Sequence, residues 1–380
     1  MTRGTGSHRI VWLLAATAVV GGIASPALAG IVPVSDGNVR AGLSPYNWVE
    51  TAEVASTAVC GASIRVGFTG TKKVALQVDT SRIELPEPTR YPILAWTVNG
   101  GPVQTHQLVA GETSVPLCTD AADPVIDLYV KGMCPWINRY EGDPPPNAFT
   151  MTGFAVDDGG ATVAVEQPRG IWLSIGDSIT SGDGAAYAEK QGRPKTPLWA
   201  ESDDGRAAYA WLLAKHFGYR ESRLAYGGYN WTGGLAKMPK LATLIDQKTS
   251  TVSRLDGDVL QPPPDIVTVN LGTNGKPKVE DVVESLTAVR KRSGPQATLI
   301  VMVPFIGWSR AEVTAGMEAY KEASGDERTH LVDLGQFTFA TADGVHPTAA
   351  GHQTIFEKLL PAIEPIVKAA QAEAKPAATL

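Results

Sequence analysis

The chain has 380 residues, 43% of them hydrophobic and 19% charged; this balance specifies packed globular structure, excludes a disordered chain, and at this length suits two domains. The formal net charge is -6 and no basic run interrupts it, which argues against nucleic acid and anionic membrane surfaces as partners.

The first 29 residues read as an export signal. Arg3, His8 and Arg9 form a basic start, and Ile10 to Val20 an apolar stretch shorter than the ~20 residues a membrane span needs. Ala27-Leu28-Ala29 then fits a small-x-small cleavage site that leaves Gly30 first. Cleavage removes Arg3 and Arg9 and no acid, so the mature chain is more acidic still. The expected location is secreted or periplasmic, with no membrane attachment after signal removal.

Residues 30–167 carry the period-two pattern of strands with one buried face. Ile64, Val66 and Phe68 alternate with polar or small residues, as do Val74, Leu76 and Val78, and again Ile126, Leu128 and Val130. Turn chemistry separates the runs at Asn99-Gly100-Gly101 and Asp157-Asp158-Gly159-Gly160. Many short strands without a helical stripe predict an antiparallel, jelly-roll-like β-sandwich. All three cysteines, Cys60, Cys118 and Cys134, lie in this half. In an exported protein one disulfide is expected, with three pairings open. Their spacing fits no zinc pattern.

The period changes at residue 168. Ile171–Ile175 is a continuous apolar run, the pattern of a strand covered on both faces. A helix is predicted over 207–217, a strand over 222–226, a helix over 234–246 and a strand over 266–271. A helix over 279–292, strands over 297–303 and 329–334, and a last helix over 349–369 follow. Alternating strands and helices predict a parallel sheet with helices on both faces over residues 168–369, a three-layer α/β/α arrangement. Residues 370–380 read as a loose tail.

The chemistry-bearing residues cluster at predicted strand ends. Ser178 lies in Gly176-Asp177-Ser178-Ile179-Thr180, after the first buried strand, where ligands bind in open α/β sheets. No Gly-x-Ser-x-Gly occurs, so this is not the nucleophile elbow of α/β-hydrolases. A serine hydroxyl needs a base, and His346 in Asp343-Gly344-Val345-His346-Pro347 is suited to that role. Asp343, three residues earlier in a turn, is placed to hold the other ring nitrogen. Asn274 in Gly272-Thr273-Asn274-Gly275 and Gly228 in Tyr226-Gly227-Gly228 supply N–H groups for an oxyanion. Singly, each motif also serves as turn or cap chemistry. Together they end predicted strands or precede a helix, so they converge on one sheet edge.

This ordered set resembles the motif blocks of the SGNH (GDSL-like) hydrolase superfamily over about residues 170–368. The resemblance implies a flavodoxin-like domain, Ser178 as nucleophile, His346 as base and Asp343 as its orienting carboxylate. It implies an oxyanion hole of the Ser178 N–H, Gly228 and Asn274, with Gly228 preferred over Gly227 because it precedes the Gly234-Leu235 helix start. The family often has Asp after the Asn; here Gly275 stands there, which leaves the Asn274 loop with less bracing. A β-sandwich joined to such a domain is similar to carbohydrate esterase family two, which removes acetyl groups from polysaccharides. Phe149–Phe154 and Asp158-Gly159 fit that module's last strands.

The expected substrate is therefore an acylated carbohydrate or another small ester. Trp231 and Trp308 follow strand ends in the C-terminal half and are candidates for stacking on sugar rings, or for core positions. No motif for a metal, nucleotide or flavin is present, so no cofactor is expected. Acyl transfer to another hydroxyl shares the same acyl-enzyme and stays open. So does a carbohydrate-binding protein with a vestigial hydrolase domain, against which the intact Ser178, Asp343 and His346 stand. No long apolar lid segment is present, which disfavours a lipase. Oligomeric state is not readable from the sequence.

Overall fold

Alternating burial turns the N-terminal half into two facing antiparallel sheets. Within Ser63–Thr69, Ile64, Val66 and Phe68 are buried while Arg65 is exposed. This structure is a computed structural model that describes residues 30–373 apart from 86, 135–136, 169, 188–198 and 236. The export signal and residues 374–380 of the tail lie outside the described residues.

One sheet runs Val49–Glu50, Ala55–Thr57, Phe149–Val156, Val74–Val78, Ser114–Cys118, with Gly30–Pro33 also paired to Phe149–Val156. The other runs Ala161–Val163, Ser63–Thr69, Val125–Gly132, Ile93–Val98, Gln104–Gln107. Their inner faces meet through the edge-on pair Phe68 with Phe154 at 5.3 Å, and Trp48 packs edge-on against Phe149 of the first sheet at 5.8 Å. One element there was not expected: Gly37–Gly42 is a six-residue helix. Asp36 caps it by accepting from Asn38 N and Val39 N. The helix buries only Val39 and Gly42, too narrow a stripe to register as a helical period.

The expected disulfide is absent. Cys60 and Cys118 are free thiols, and each of the three pairings needs one of them. Burial instead pushes the Cys60 thiol well above its ordinary pKa, and its Sγ donates to Lys131 O at 3.0 Å.

The C-terminal half holds a five-stranded parallel sheet. Its strands are β1 (Ile171–Gly176), β2 (Arg220–Ala225), β3 (Ile266–Asn270), β4 (Thr298–Met302) and β5 (Thr329–Val332). The order is β2-β1-β3-β4-β5, the flavodoxin-like order whose switch point lies between β1 and β3. Helices cover both faces, which completes the three-layer α/β/α arrangement. Trp172, Ile266 and Ile300 pack against Tyr209–His216 and Ala349–Glu373; Leu173, Val267 and Leu299 face Val279–Ser293 and Arg310–Ser324.

Two sequence expectations fail here. Of the helix expected over 234–246, only Leu241–Leu244 forms. Pro239 has no N–H to donate. The chain before it loops instead, with Gly234 N on Met238 O at 3.1 Å and Tyr229 OH on Pro239 O at 2.9 Å. The last helix continues past 369 to Glu373, because residues 369–373 are good helix formers and Glu373 pairs with Arg328.

The halves share one continuous core and polar contacts. Arg223 of β2 is fully buried. It donates to Glu221 at 2.7 Å, to Ser181 O at 3.0 Å and to Gly205 O at 2.9 Å. Its guanidinium lies against Gly61 of the sandwich, where any Cβ would come within 2.9 Å of it. Asn47 of the sandwich donates to Arg223 O at 2.6 Å.

Candidate active site

Strand β1 ends at Gly176, and the chain turns at once into a one-turn helix, Ser178–Ser181. Gly176 is required there, since a Cβ would sit 2.0 Å from Thr180 Oγ1. Asp177 caps the turn, accepting from Ile179 N at 2.9 Å. Ser178 is thereby held rigidly at the sheet's carboxyl edge. Its carbonyl accepts from Gly182 N at 3.1 Å and Asp183 N at 3.0 Å.

His346 arrives from the loop before the last helix. The loop is pinned by Ala342 N on His346 O at 2.8 Å, Thr348 N on Ala340 O at 3.0 Å and Ala349 N on Ala185 O at 2.9 Å. Gly184, at φ 80°, lets the two segments touch, because a Cβ there would lie 2.9 Å from His346 Cβ. The result is a three-member chain. Asp343 Oδ2 lies 2.9 Å from His346 Nδ1, and His346 Nε2 lies 2.9 Å from Ser178 Oγ. An ionised carboxylate only accepts, so Nδ1 donates to Asp343 and Nε2 is left to accept the Ser178 hydroxyl proton. Asp343 Oδ1 also accepts from His346 N at 2.9 Å and Val345 N at 3.1 Å.

The electrostatics favour a protonated imidazole. Burial pulls the His346 pKa down, but the Asp343 hydrogen bond and the charges of Asp183, Asp343 and Asp177 outweigh it, and the net shift is upward. Burial works against the Asp343 carboxylate too, yet the side-chain and backbone hydrogen bonds from His346 hold it below the usual carboxylate range. Burial pushes Asp177 up to about 6, opposed by the Ile179 hydrogen bond.

Asn274 reaches the same edge from the loop after β3. Its Nδ2 donates to Tyr229 O at 3.1 Å and lies 3.5 Å from Asp177 Oδ2. Gly228 sits in the loop after β2 at φ 69°, with Leu235 so close that a Cβ would meet it at 2.4 Å. No helix starts at Gly234, so the helix argument for Gly228 over Gly227 lapses. Gly275 offers no side chain to brace the Asn274 loop, and other bonds hold it. Ser309 Oγ donates to Gly272 O at 2.8 Å and lies 3.2 Å from Gly275 O, and Asn230 Nδ2 donates to Gly275 O at 3.1 Å. The bracing acts on backbone carbonyls and needs no side chain at 275, where Gly275 adopts a φ of 138°.

The two tryptophans part company. Trp231 is buried and its Nε1 donates to Leu271 O at 3.1 Å, so it belongs to the core and presents no ring face to a ligand. Trp308 is 54% exposed and lines a cleft of about 530 Å³ with Gly272, Thr273, Gly275, Lys276 and Ser309.

Sequence reasoning missed the carboxyl pair Asp183 and Asp203 behind His346. Both are buried. Asp203 Oδ1 accepts from Ser202 Oγ at 2.9 Å and Gly184 N at 3.2 Å. Burial raises both carboxyls, and the Asp183 charge adds to burial at Asp203. Asp183 lies five residues after Ser178, but nothing local distinguishes it from a turn aspartate.

Residues 174–354 match the GDSL-like Lipase/Acylhydrolase family. No curated protein matches the chain. Among solved structures, the chain is similar to Est2A, an acetyl xylan esterase from the rumen bacterium Butyrivibrio proteoclasticus. The TM-score is 0.70 at 19% identity, covering 90% of this chain and 99% of that one. It is similar to a family two carbohydrate esterase from Clostridium thermocellum in complex with cellohexaose, with TM-score 0.67, 19% identity, and 89% and 99% covered. It is also similar to the salicylyl-acyltransferase SsfX3 from a tetracycline biosynthetic pathway, with TM-score 0.60, 15% identity, and 89% and 98% covered. The chain therefore carries a GDSL-like lipase/acylhydrolase domain, is a carboxylic ester hydrolase of that class, and has the two-part fold of the family two carbohydrate esterases.

Proposed function

We propose that the protein is an exported serine esterase that removes short acyl groups, chiefly O-acetyl, from carbohydrate through an acyl-enzyme on Ser178. The observation that carries this reading is the Ser178–His346–Asp343 chain, with 2.9 Å at each link. His346 Nε2 takes the Ser178 proton as Oγ attacks the ester carbonyl carbon. The Ser178 N–H, the Gly228 N–H and Asn274 Nδ2 hold the oxyanion. The C–O bond then breaks and the alcohol leaves with the proton from His346. Water, deprotonated by the same nitrogen, attacks the acyl carbon and releases the carboxylic acid and Ser178. The glycan lies along the Trp308 cleft. Residues 30–167 act as a sandwich domain and 168–369 as the catalytic domain.

The acetyl xylan esterase and the cellohexaose complex among the similar folds support carbohydrate as the substrate class. Mature protein should hydrolyse p-nitrophenyl acetate with a higher kcat/KM than the octanoate, and should release acetate from an acetylated polysaccharide. A preference for octanoate would overturn the short-acyl reading, and inactivity on every acetylated polysaccharide would remove the carbohydrate. The similarity to SsfX3 supports a second reading, acyl transfer to an acceptor hydroxyl. Adding acceptor sugar to the same assay separates the two, since a transferase forms acylated sugar at the expense of free acetate.

The anionic surroundings of His346 set the pH dependence. A raised pKa keeps the base protonated, hence inactive, to higher pH. The rising limb of kcat/KM should thus lie above the ordinary histidine value of about 6.5. Asp183→Asn removes one of the charges that raise it and should shift the limb to lower pH with Ser178 still reactive. A limb at the same pH in that variant would show that Asp183 does not act on the base.

A further inference from the structure

The turn Ser178–Ser181 is a single turn of helix, and a helix leaves its last carbonyls without internal donors. Its end is held from outside by Arg223 of β2. Arg223 Nη1 donates to Ser181 O at 3.0 Å, Nη2 to Gly205 O at 2.9 Å, and Nε to Glu221 Oε1 at 2.7 Å. Every guanidinium nitrogen therefore has a partner. The Arg223 and Glu221 side chains are only 1% and 6% exposed. A buried ion pair adds little stability over apolar residues of the same volume, because desolvation offsets the attraction. What it supplies here is geometry. The planar fork fixes carbonyls of two separate segments at once, which neither an apolar side chain nor the single ammonium of a lysine does.

The sandwich seats this fork. Gly61 lies against the guanidinium, and Gly205 is so close behind it that a Cβ on Gly205 would come within 2.7 Å of Gly61 N. Gly205 N donates to Lys131 O at 3.0 Å, and Lys131 Nζ to Asp203 O at 2.6 Å. Strand Val125–Gly132 of the sandwich thus holds the segment 203–205. That segment in turn reaches both members of the reacting pair. Asp204 N donates to Gly182 O at 3.1 Å, one residue past the Ser178 turn. Asp203 Oδ1 accepts from Gly184 N at 3.2 Å, where Gly184 packs on His346.

On the reading of Ser178 as nucleophile, we propose that Arg223 is a positioning residue for ester hydrolysis and that the sandwich, through Gly61 and Lys131, keeps it in place. Ser181 is three residues from Ser178 in a turn of only four, so a shift at Ser181 O carries the Ser178 N–H and Oγ with it. The sandwich is then part of the catalytic unit and not a detachable module.

The test uses the full mature protein. An aryl fluorophosphonate should label Ser178 of the wild type, and Ser178→Ala should not react. Arg223→Met combined with Glu221→Gln removes both charges together, so that no buried charge is left alone. This double variant should lose on the order of 10² in kcat for p-nitrophenyl acetate, as when a reacting group is displaced by about 1 Å. KM should be little altered, and labelling should slow by the same factor. Arg223→Lys should fall between it and the wild type, and carries the comparison if the double variant does not fold. Val367→Ala, at a buried position of the last helix, should lower Tm without lowering kcat. Gly61→Ala should lower kcat in the wild type and add nothing in the double variant, because the contact it disturbs is gone. Unchanged kcat in the Arg223 variants, an equal fall of kcat in Val367→Ala, or an additive effect of Gly61→Ala would each overturn the proposal while leaving the acyl-enzyme intact. A wild type not labelled at Ser178 would overturn both.

Discussion

Ser178→Ala is expected to lower kcat for acetyl-ester hydrolysis by on the order of 10⁴–10⁶ while leaving the thermal unfolding midpoint almost unchanged. Among the described residues the hydroxyl bonds only His346 Nε2, at 2.9 Å, so its loss removes the nucleophile but no packing. His346→Ala should be nearly as severe, because a serine hydroxyl without a base is not deprotonated at neutral pH. The double variant should be no worse than either single one, since the pair acts as a unit. Assays at high protein concentration, with Tm measured alongside, decide the matter. Wild-type turnover by Ser178→Ala would remove the acyl-enzyme from the mechanism. Inactivity of the wild type on every ester would bring the carbohydrate-binding reading forward.

The second large effect is expected at Asn274. Asn274→Ala should cost on the order of 10²–10³ in kcat with KM little altered, the loss typical of one oxyanion donor. The amide is held in place before substrate arrives. One Nδ2 hydrogen is engaged by Tyr229 O at 3.1 Å, and Asp177 Oδ2 is only a long contact at 3.5 Å. The other hydrogen is thus available to a developing oxyanion. Ser309→Ala, which loosens the loop through Gly272 O and Gly275 O, should show the same pattern with a smaller loss. A rise in KM at constant kcat for Asn274→Ala would mean that the amide binds ground-state substrate and does not stabilise the transition state.

The sandwich expectation and the parallel-sheet expectation rested on periods of two and on fully apolar runs. Both survive folding because they report one-face and two-face burial directly. The strand ends also told where Ser178, Asn274 and His346 would gather, since ligands meet a doubly wound sheet at its carboxyl edge. Helix 234–246 went wrong where Pro239 and a glycine-rich loop overrode an apolar pattern. The short helix at Gly37–Gly42 was invisible because its one cap and two buried residues make no periodic signal.

What the sequence determined by itself was the architecture of each half and the ordered residue set Ser178, Gly228, Asn274, Asp343 and His346. Those depend on local pattern and on chain order. Only the tertiary structure decided that Trp231 is core while Trp308 is exposed, that Ser309 and Asn230 brace the loop at Gly275, and that Cys60 and Cys118 stay reduced. It alone set the buried Asp183 near His346, with Asp203 beside it on Gly184 N. The reason is distance along the chain. Such contacts join residues far apart in sequence, and burial, charge compensation and pKa are properties of what surrounds a side chain in space.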